Sequence, residues 1–167
     1  MPLPVDDSRI RLNKTSFVIY NHVDLDKAVR FLEDFGMTIV RRSADGKEVF
    51  FAGYGPDPFV YIARQAEEGK TSFGGAAYLV EDRSELVKAS KVPGASTLCS
   101  LNAPSGGEII TLYDPARHPI HLVYGQEQKP EERPELRQRK LELNYEDDKP
   151  RKGQFHRFRP GPAPMYK

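Results

Sequence analysis

The hydrophobic and polar positions of this chain change period in the same order twice. Residues 15–23, "TSFVIYNHV", crowd β-branched and aromatic residues into a short run, the pattern of a strand. Asp24 follows as a helix N-cap, a short carboxylate able to accept the free N–H groups of a first turn. In "LDKAVRFLEDF" the apolar residues Leu25, Ala28, Val29, Leu32 and Phe35 recur every three or four positions and make one helical stripe. Gly36 stands where a left-handed C-terminal cap belongs. Three strands come next, "MTIVRRS", "EVFFAGY" and "FVYIARQ", divided by the turn-like "ADGK" and "GPDP".

The second pass is looser. "GAAYLVED" reads as a strand and "RSELVKASKV" as a short helix before Pro93-Gly94, followed by the strands "STLCSLNA", "GEIITLYDP" and "PIHLVYGQ". Corresponding first strands lie 58 residues apart, counted from Phe17 to Gly75 (75 − 17). Two β-α-β-β-β modules, at about 14–70 and 71–126, follow from this internal duplication. Residues 1–13 form an N-terminal extension. After Gly125 the chain turns to charge, proline and glycine, so 127–167 reads as an extended arm or interdomain linker. A helical turn or two is expected in it around "PELRQRKLELN".

Composition narrows the function classes. The 167 residues include 38% hydrophobic ones, enough for one compact domain plus extra tail. The net charge of +1 offers no case for nucleic acid or a membrane surface, and the arm's "RQRK" and "KPRK" are broken by "EER" and "EDD". No run approaches membrane-span length and no signal peptide opens the chain. A single cysteine, Cys99, read as a buried structural thiol, points to a reducing, cytoplasmic setting.

Four stretches carry a resemblance: "IRLNKTSFVIYNHVDLDKAVRFLEDFGM", "FFAGYGPDPFVYIA", "TLYDPARHPIHLVYGQ" and "GQFHRFRPGPAPMYK". In this order they resemble the vicinal-oxygen-chelate superfamily, which holds glyoxalase I, bleomycin-resistance proteins and type I extradiol dioxygenases. The nearest likeness is to the N-terminal half of two-domain extradiol-dioxygenase-like proteins. The resemblance implies an α+β fold whose two tandem modules curl their sheets around a shared cleft. In active members two histidines and a glutamate hold Fe(II) or Mn(II) there, with open positions for substrate and O₂. By this likeness the first ligand position falls on Phe17, the second on Gly75 and the third on His121. A phenyl ring and a glycine have no donor atom, neither Ser16 nor Gly74 repairs the set, and one imidazole is too little for a catalytic metal. The resemblance therefore implies no metal in this chain, with Fe(II) or Mn(II) expected only in a C-terminal catalytic domain absent from it.

His121, a polar ring between Ile120 and Leu122, reads best as a residue of a vestigial cleft or an inward ring bonded to backbone. His118 sits in the Pro119 turn, and alternation does not bring it to His121 for a chelate. Tyr54, Tyr61, Tyr78, Tyr113, Tyr124 and His22 are candidate ligand-lining residues, since a phenol stacks and offers a polar tip; core and cross-strand packing is the competing reading. "GYGPDP" lacks the strand-loop-helix context of a phosphate loop. Three functions follow as expectations: a metal-free scaffold and oligomer contact beside a catalytic domain, a stand-alone protein that sequesters a small aromatic molecule, and a metal enzyme completed at a subunit interface. A homodimer is expected under all three.

Overall fold

The computed structural model describes residues 8–53 and 55–130. Tyr54 lies outside the described residues, as do 1–7 and 131–167, and with them most of the expected N-terminal extension and arm. Ten elements run in the order β1 (Leu12–His22), α1 (Leu25–Asp34), β2 (Thr38–Arg42), β3 (Glu48–Ala52), β4 (Tyr61–Gln65), β5 (Ser72–Val80), α2 (Arg83–Ala89), β6 (Cys99–Ser100), β7 (Glu108–Tyr113) and β8 (Pro119–Tyr124). This is β-α-β-β-β twice.

Local chemistry sets the helices. The Asp24 carboxylate accepts from the Lys27 N–H at 2.9 Å, and Asp82 accepts from Ser84 N–H at 2.7 Å. Each thereby satisfies one N–H that a first helical turn leaves without a partner. Gly36, at φ +99°, closes α1. The second helix ends at Ala89, three residues short of the sequence expectation, in tight turns from Val92 N–H to Ala89 O and from Ala95 N–H to Val92 O. Val92 precedes Pro93, whose ring disfavours helical backbone at that position.

All eight strands join one sheet in the order β2-β3-β4-β1-β5-β8-β7-β6. The order is symmetric about the antiparallel pair β1/β5. Within each half the first and last strands pair in parallel, Val18 opposite Tyr61 and Ala76 opposite Ile120. The expected strand 96–103 shrinks to Cys99–Ser100, with the Leu101 N–H bonded to Gly107 O in the same register just beyond it. Cys99 is exposed on this edge strand, which corrects its reading as a buried thiol.

One face of the sheet carries the helices: α1 packs Leu25, Val29 and Leu32 over Val49, Phe51 and Ala63, and α2 packs Leu86 and Ala89 over Val80, Ile110 and Leu122. The other face is a core shared by both modules, built from Phe17, Ile19, Phe50, Phe59, Ile62, Ala77, Ala103 and Val123. The sheet curls around it without closing, and one side chain bridges from edge to edge. Arg41 on β2 donates to the Asn102 carbonyl just beyond β6 at 2.7 Å, with its guanidinium 4.7 Å from the centre of the Phe50 ring.

Candidate functional site

The concave face is where the three positions implied by the family resemblance come together. Phe17 on β1 pairs with Ala77 on β5, and Ala77 pairs in turn with His121 on β8, so one row crosses three central strands. Gly75 lies two residues before Ala77, next to a register slip in the β1/β5 ladder.

Aromatic rings fill this face. Phe17 is 1% exposed, and its ring centre is 4.7 Å from that of Phe59, which meets Phe50 edge-on at 5.4 Å. Phe59 comes from the turn before β4 and lies over the middle of the sheet. The chain after β8 then straps the face. Gln126 accepts from the buried Ser16 hydroxyl at 2.6 Å and donates to Ser105 at 3.2 Å. Lys129 bonds module one through its N–H to Pro56 O and through its ammonium to Gly53 O. The strap thus ties loop 53–59 of one module to loop 101–107 of the other.

His121 is 8% exposed and both ring nitrogens are engaged. Nε2 lies 2.9 Å from the Gly74 carbonyl, an acceptor only, so Nε2 carries the proton and donates. Nδ1 is then the acceptor in the neutral ring and takes the Thr111 hydroxyl at 2.9 Å. Burial holds the pKa below the ordinary 6.5 against the opposing pull of the Gly74 carbonyl, and the Arg64 charge lowers it further. A Cβ added at Gly75, where φ is +117°, would stand 2.5 Å from His121 Nε2 and 2.7 Å from Pro119 O. The imidazole therefore occupies the space a side chain at Gly75 would need. With no free lone pair on the ring and no donor at 17 or 75, these residues do not fit a divalent metal. Among the described residues no group of three His, Cys, Asp or Glu side chains is placed to hold one.

The tyrosines fall elsewhere. Tyr61 packs on the α1 side, while Tyr78 and Tyr124 pack on the α2 side. Each neighbours a residue of the concave row, so strand alternation turns it to the opposite face. Tyr113, at the end of β7, is 53% exposed. His22, at the end of β1, faces the α1 side as well, its Nε2 2.9 Å from the Tyr61 hydroxyl. Tyr61 also stacks on Tyr20 at 5.8 Å. His118 bonds Asp114 on the surface, away from His121. Sequence reasoning missed Phe59, Thr111 and Gln126. Only Thr111 had a readable signal, the β7/β8 hairpin register that sets it opposite His121.

No family model matches this chain, and no curated protein matches it in sequence. Solved structures do match in fold. A Mn(II)-bound glyoxalase from Novosphingobium aromaticivorans aligns with a TM-score of 0.60 at 19% identity, over 74% of this chain and 42% of that one. The 2,3-dioxygenase LapB from Pseudomonas sp. KL28 aligns at 0.59 and 20% identity, over 72% and 42%. Homoprotocatechuate 2,3-dioxygenase from Arthrobacter globiformis aligns at 0.64 and 14% identity, over 81% and 43%. The chain spans less than half the length of these structures, and the likeness is one of fold.

Proposed function

On the vicinal-oxygen-chelate fold that this chain has, we propose that it acts as a metal-free, non-catalytic half of an extradiol-dioxygenase-like protein. In that role it supplies scaffold and oligomer contacts, while Fe(II) or Mn(II) chemistry belongs to a separate catalytic domain. One observation carries the reading: the concave face is closed by the chain's own residues, with Phe17 and Phe59 in its centre and both nitrogens of His121 bonded. A cleft that sequesters a small aromatic molecule needs the volume in which those rings stand. An interface metal site needs donors at Phe17 and Gly75, which have none. An exposed lone Cys99 suits a reducing, cytoplasmic setting. No helix of the described residues is long and apolar enough to cross a membrane.

The test is elemental analysis of the purified chain after anaerobic incubation with Fe(II) or Mn(II) and removal of free ion. The expected content is well under one metal per chain, and about one retained metal per chain overturns the proposal. Sedimentation velocity at micromolar concentration checks the oligomer contact, where a dimer is expected and a monomer removes that part.

A further inference from the structure

On the opposite side of the sheet from the concave face, a groove of about 610 Å³ runs beside α1. Small-molecule sites fall at about 300–1,000 Å³, with mostly apolar walls and a few convergent polar groups. This groove has that make-up. Phe31, Leu32, Phe35 and Met37 form its apolar wall, and His22, Lys27, Tyr61 and Thr71 bring polar atoms to it. Phe31 and Phe35 stack at 6.0 Å yet are 64% and 52% exposed, so two aromatic faces stand uncovered at its rim.

We propose that this groove binds a small amphipathic carboxylate, its apolar body against Phe31, Phe35 and Met37 and its head group against Lys27 and the His22–Tyr61 pair. The side-chain chemistry selects the head group. Tyr61 and His22 share one hydrogen bond of 2.9 Å. Burial pushes the Tyr61 pKa up to about 12, with Tyr20 adding to it, and burial lowers that of His22, so both are uncharged at neutral pH. If the phenol donates to Nε2, the Nδ1–H of His22 is left free; if Nε2–H donates, the phenol hydrogen is left free. Either way the pair retains one free donor for an acceptor in the groove. Asp24, the one acidic residue on the groove's wall among the described residues, accepts the Lys27 backbone N–H at the helix start. The Lys27 ammonium supplies positive charge at this end of the groove, where the Asp24 carboxylate is engaged as the cap of α1. A free donor and a cation at one end of an apolar groove complement an anionic oxygen pair on an apolar body.

The experiment is an NMR titration of the ¹⁵N-labelled chain with 4-phenylbutyrate and, separately, its uncharged amide. Saturable shifts confined to α1 and the other groove residues, His22, Val23, Phe35, Met37, Tyr61 and Thr71, are expected, with the acid bound about fivefold tighter than the amide, the effect of one exposed charge contact. In Lys27→Met the acid and the amide should bind alike. Phe31→Ala, a change at an exposed position, should weaken both by about threefold. No saturable shift at α1, or equal binding of acid and amide to the unmodified chain, overturns the proposal. So does a dimer that Phe31→Lys disperses in sedimentation while neither compound binds, since a second copy would then be the occupant.

Discussion

Replacing Gly75 by alanine tests whether the His121 ring stands where a side chain would otherwise be. The backbone there has φ +117°, in the half of conformational space that L-residues avoid, and holding a non-glycine residue so costs about 1–3 kcal/mol. The new Cβ would meet His121 Nε2 at 2.5 Å and Pro119 O at 2.7 Å. The carbonyl belongs to the β8 backbone and the ring is held at both nitrogens, so neither yields freely. Overpacking of this kind costs about 1–3 kcal/mol. The two terms together give about 2–6 kcal/mol against a typical domain stability of about 5–15 kcal/mol. Urea unfolding followed by circular dichroism measures this, with the slope compared to confirm that only stability has changed. Gly46→Ala is the control, because its φ is +71° and nothing lies within 4 Å of an added Cβ. It carries the backbone cost alone, so Gly75→Ala should exceed it by the packing cost. Gly75→Ala/His121→Ala should be less destabilised than the sum of its parts by about 1 kcal/mol or more, since removing the ring relieves one clash and leaves the other. A Gly75→Ala cost no larger than that of Gly46→Ala, or strict additivity in the double variant, refutes the account.

Other perturbations probe the same face. Phe17→Ala removes a ring that is 1% exposed, for an expected loss of about 3–5 kcal/mol in thermal or urea unfolding; a loss below about 1 kcal/mol would mean the face is not a core. Gln126→Ala leaves the buried Ser16 hydroxyl without its acceptor and should cost about 1–3 kcal/mol, read the same way, whereas no measurable loss would show the strap to be unattached. For His121, burial depresses the folded pKa below 6.5, so the unfolded chain takes up its proton first. Its contribution to stability is then complete above pH 6.5 and is lost as the pH falls below that towards the folded value. The Cε1–H resonance of His121 should titrate with a midpoint under 6.5, and a midpoint at or above it contradicts the buried neutral ring.

What the sequence disclosed was mostly what neighbours in the chain determine. The Asp24 cap, the stripe of α1 at Leu25, Val29 and Leu32, and the turn before Pro119 rest on contacts a few residues apart and stand in the fold, as does the duplication at 58-residue spacing, while Phe35, expected in the stripe, is 52% exposed. The sheet order is symmetric about β1/β5, as two copies of one module require. Strand periodicity gave the parity of each side chain without saying which parity faces a helix. Tyr61, Tyr78 and Tyr124 are amphipathic and suit either side; their in-register partners Val18, Leu122 and Glu108 did not mark the side in advance. Phe59, Gln126 and the Arg41–Asn102 contact depend on chain segments 42 to 110 residues apart in sequence, as between Phe17 and Phe59 or Ser16 and Gln126. No local pattern encodes those pairings. The edge strand β6 is shorter than its apolar run suggests, since its ladder with β7 covers only Cys99 and Ser100.

The closed face follows physically from what stands at position 17. A phenylalanine at the centre of a curled sheet leaves an aromatic surface that water solvates poorly, and full burial of such a side chain is worth about 1.5–3 kcal/mol. That favours any loop able to cover it, and Phe59 does so from the turn before β4. Once Phe59 is down, the backbone around Gly53 and Pro56 offers carbonyls at the rim, and Lys129 binds both of them. On the other side, Gly75 gives up the space that the His121 ring fills, which lets the ring reach Gly74 O and Thr111 Oγ1 without leaving a buried nitrogen unsatisfied. Opening such a face to admit a ligand would expose the phenylalanines, break the strap and strand the imidazole together. The two modules are thereby held as one body.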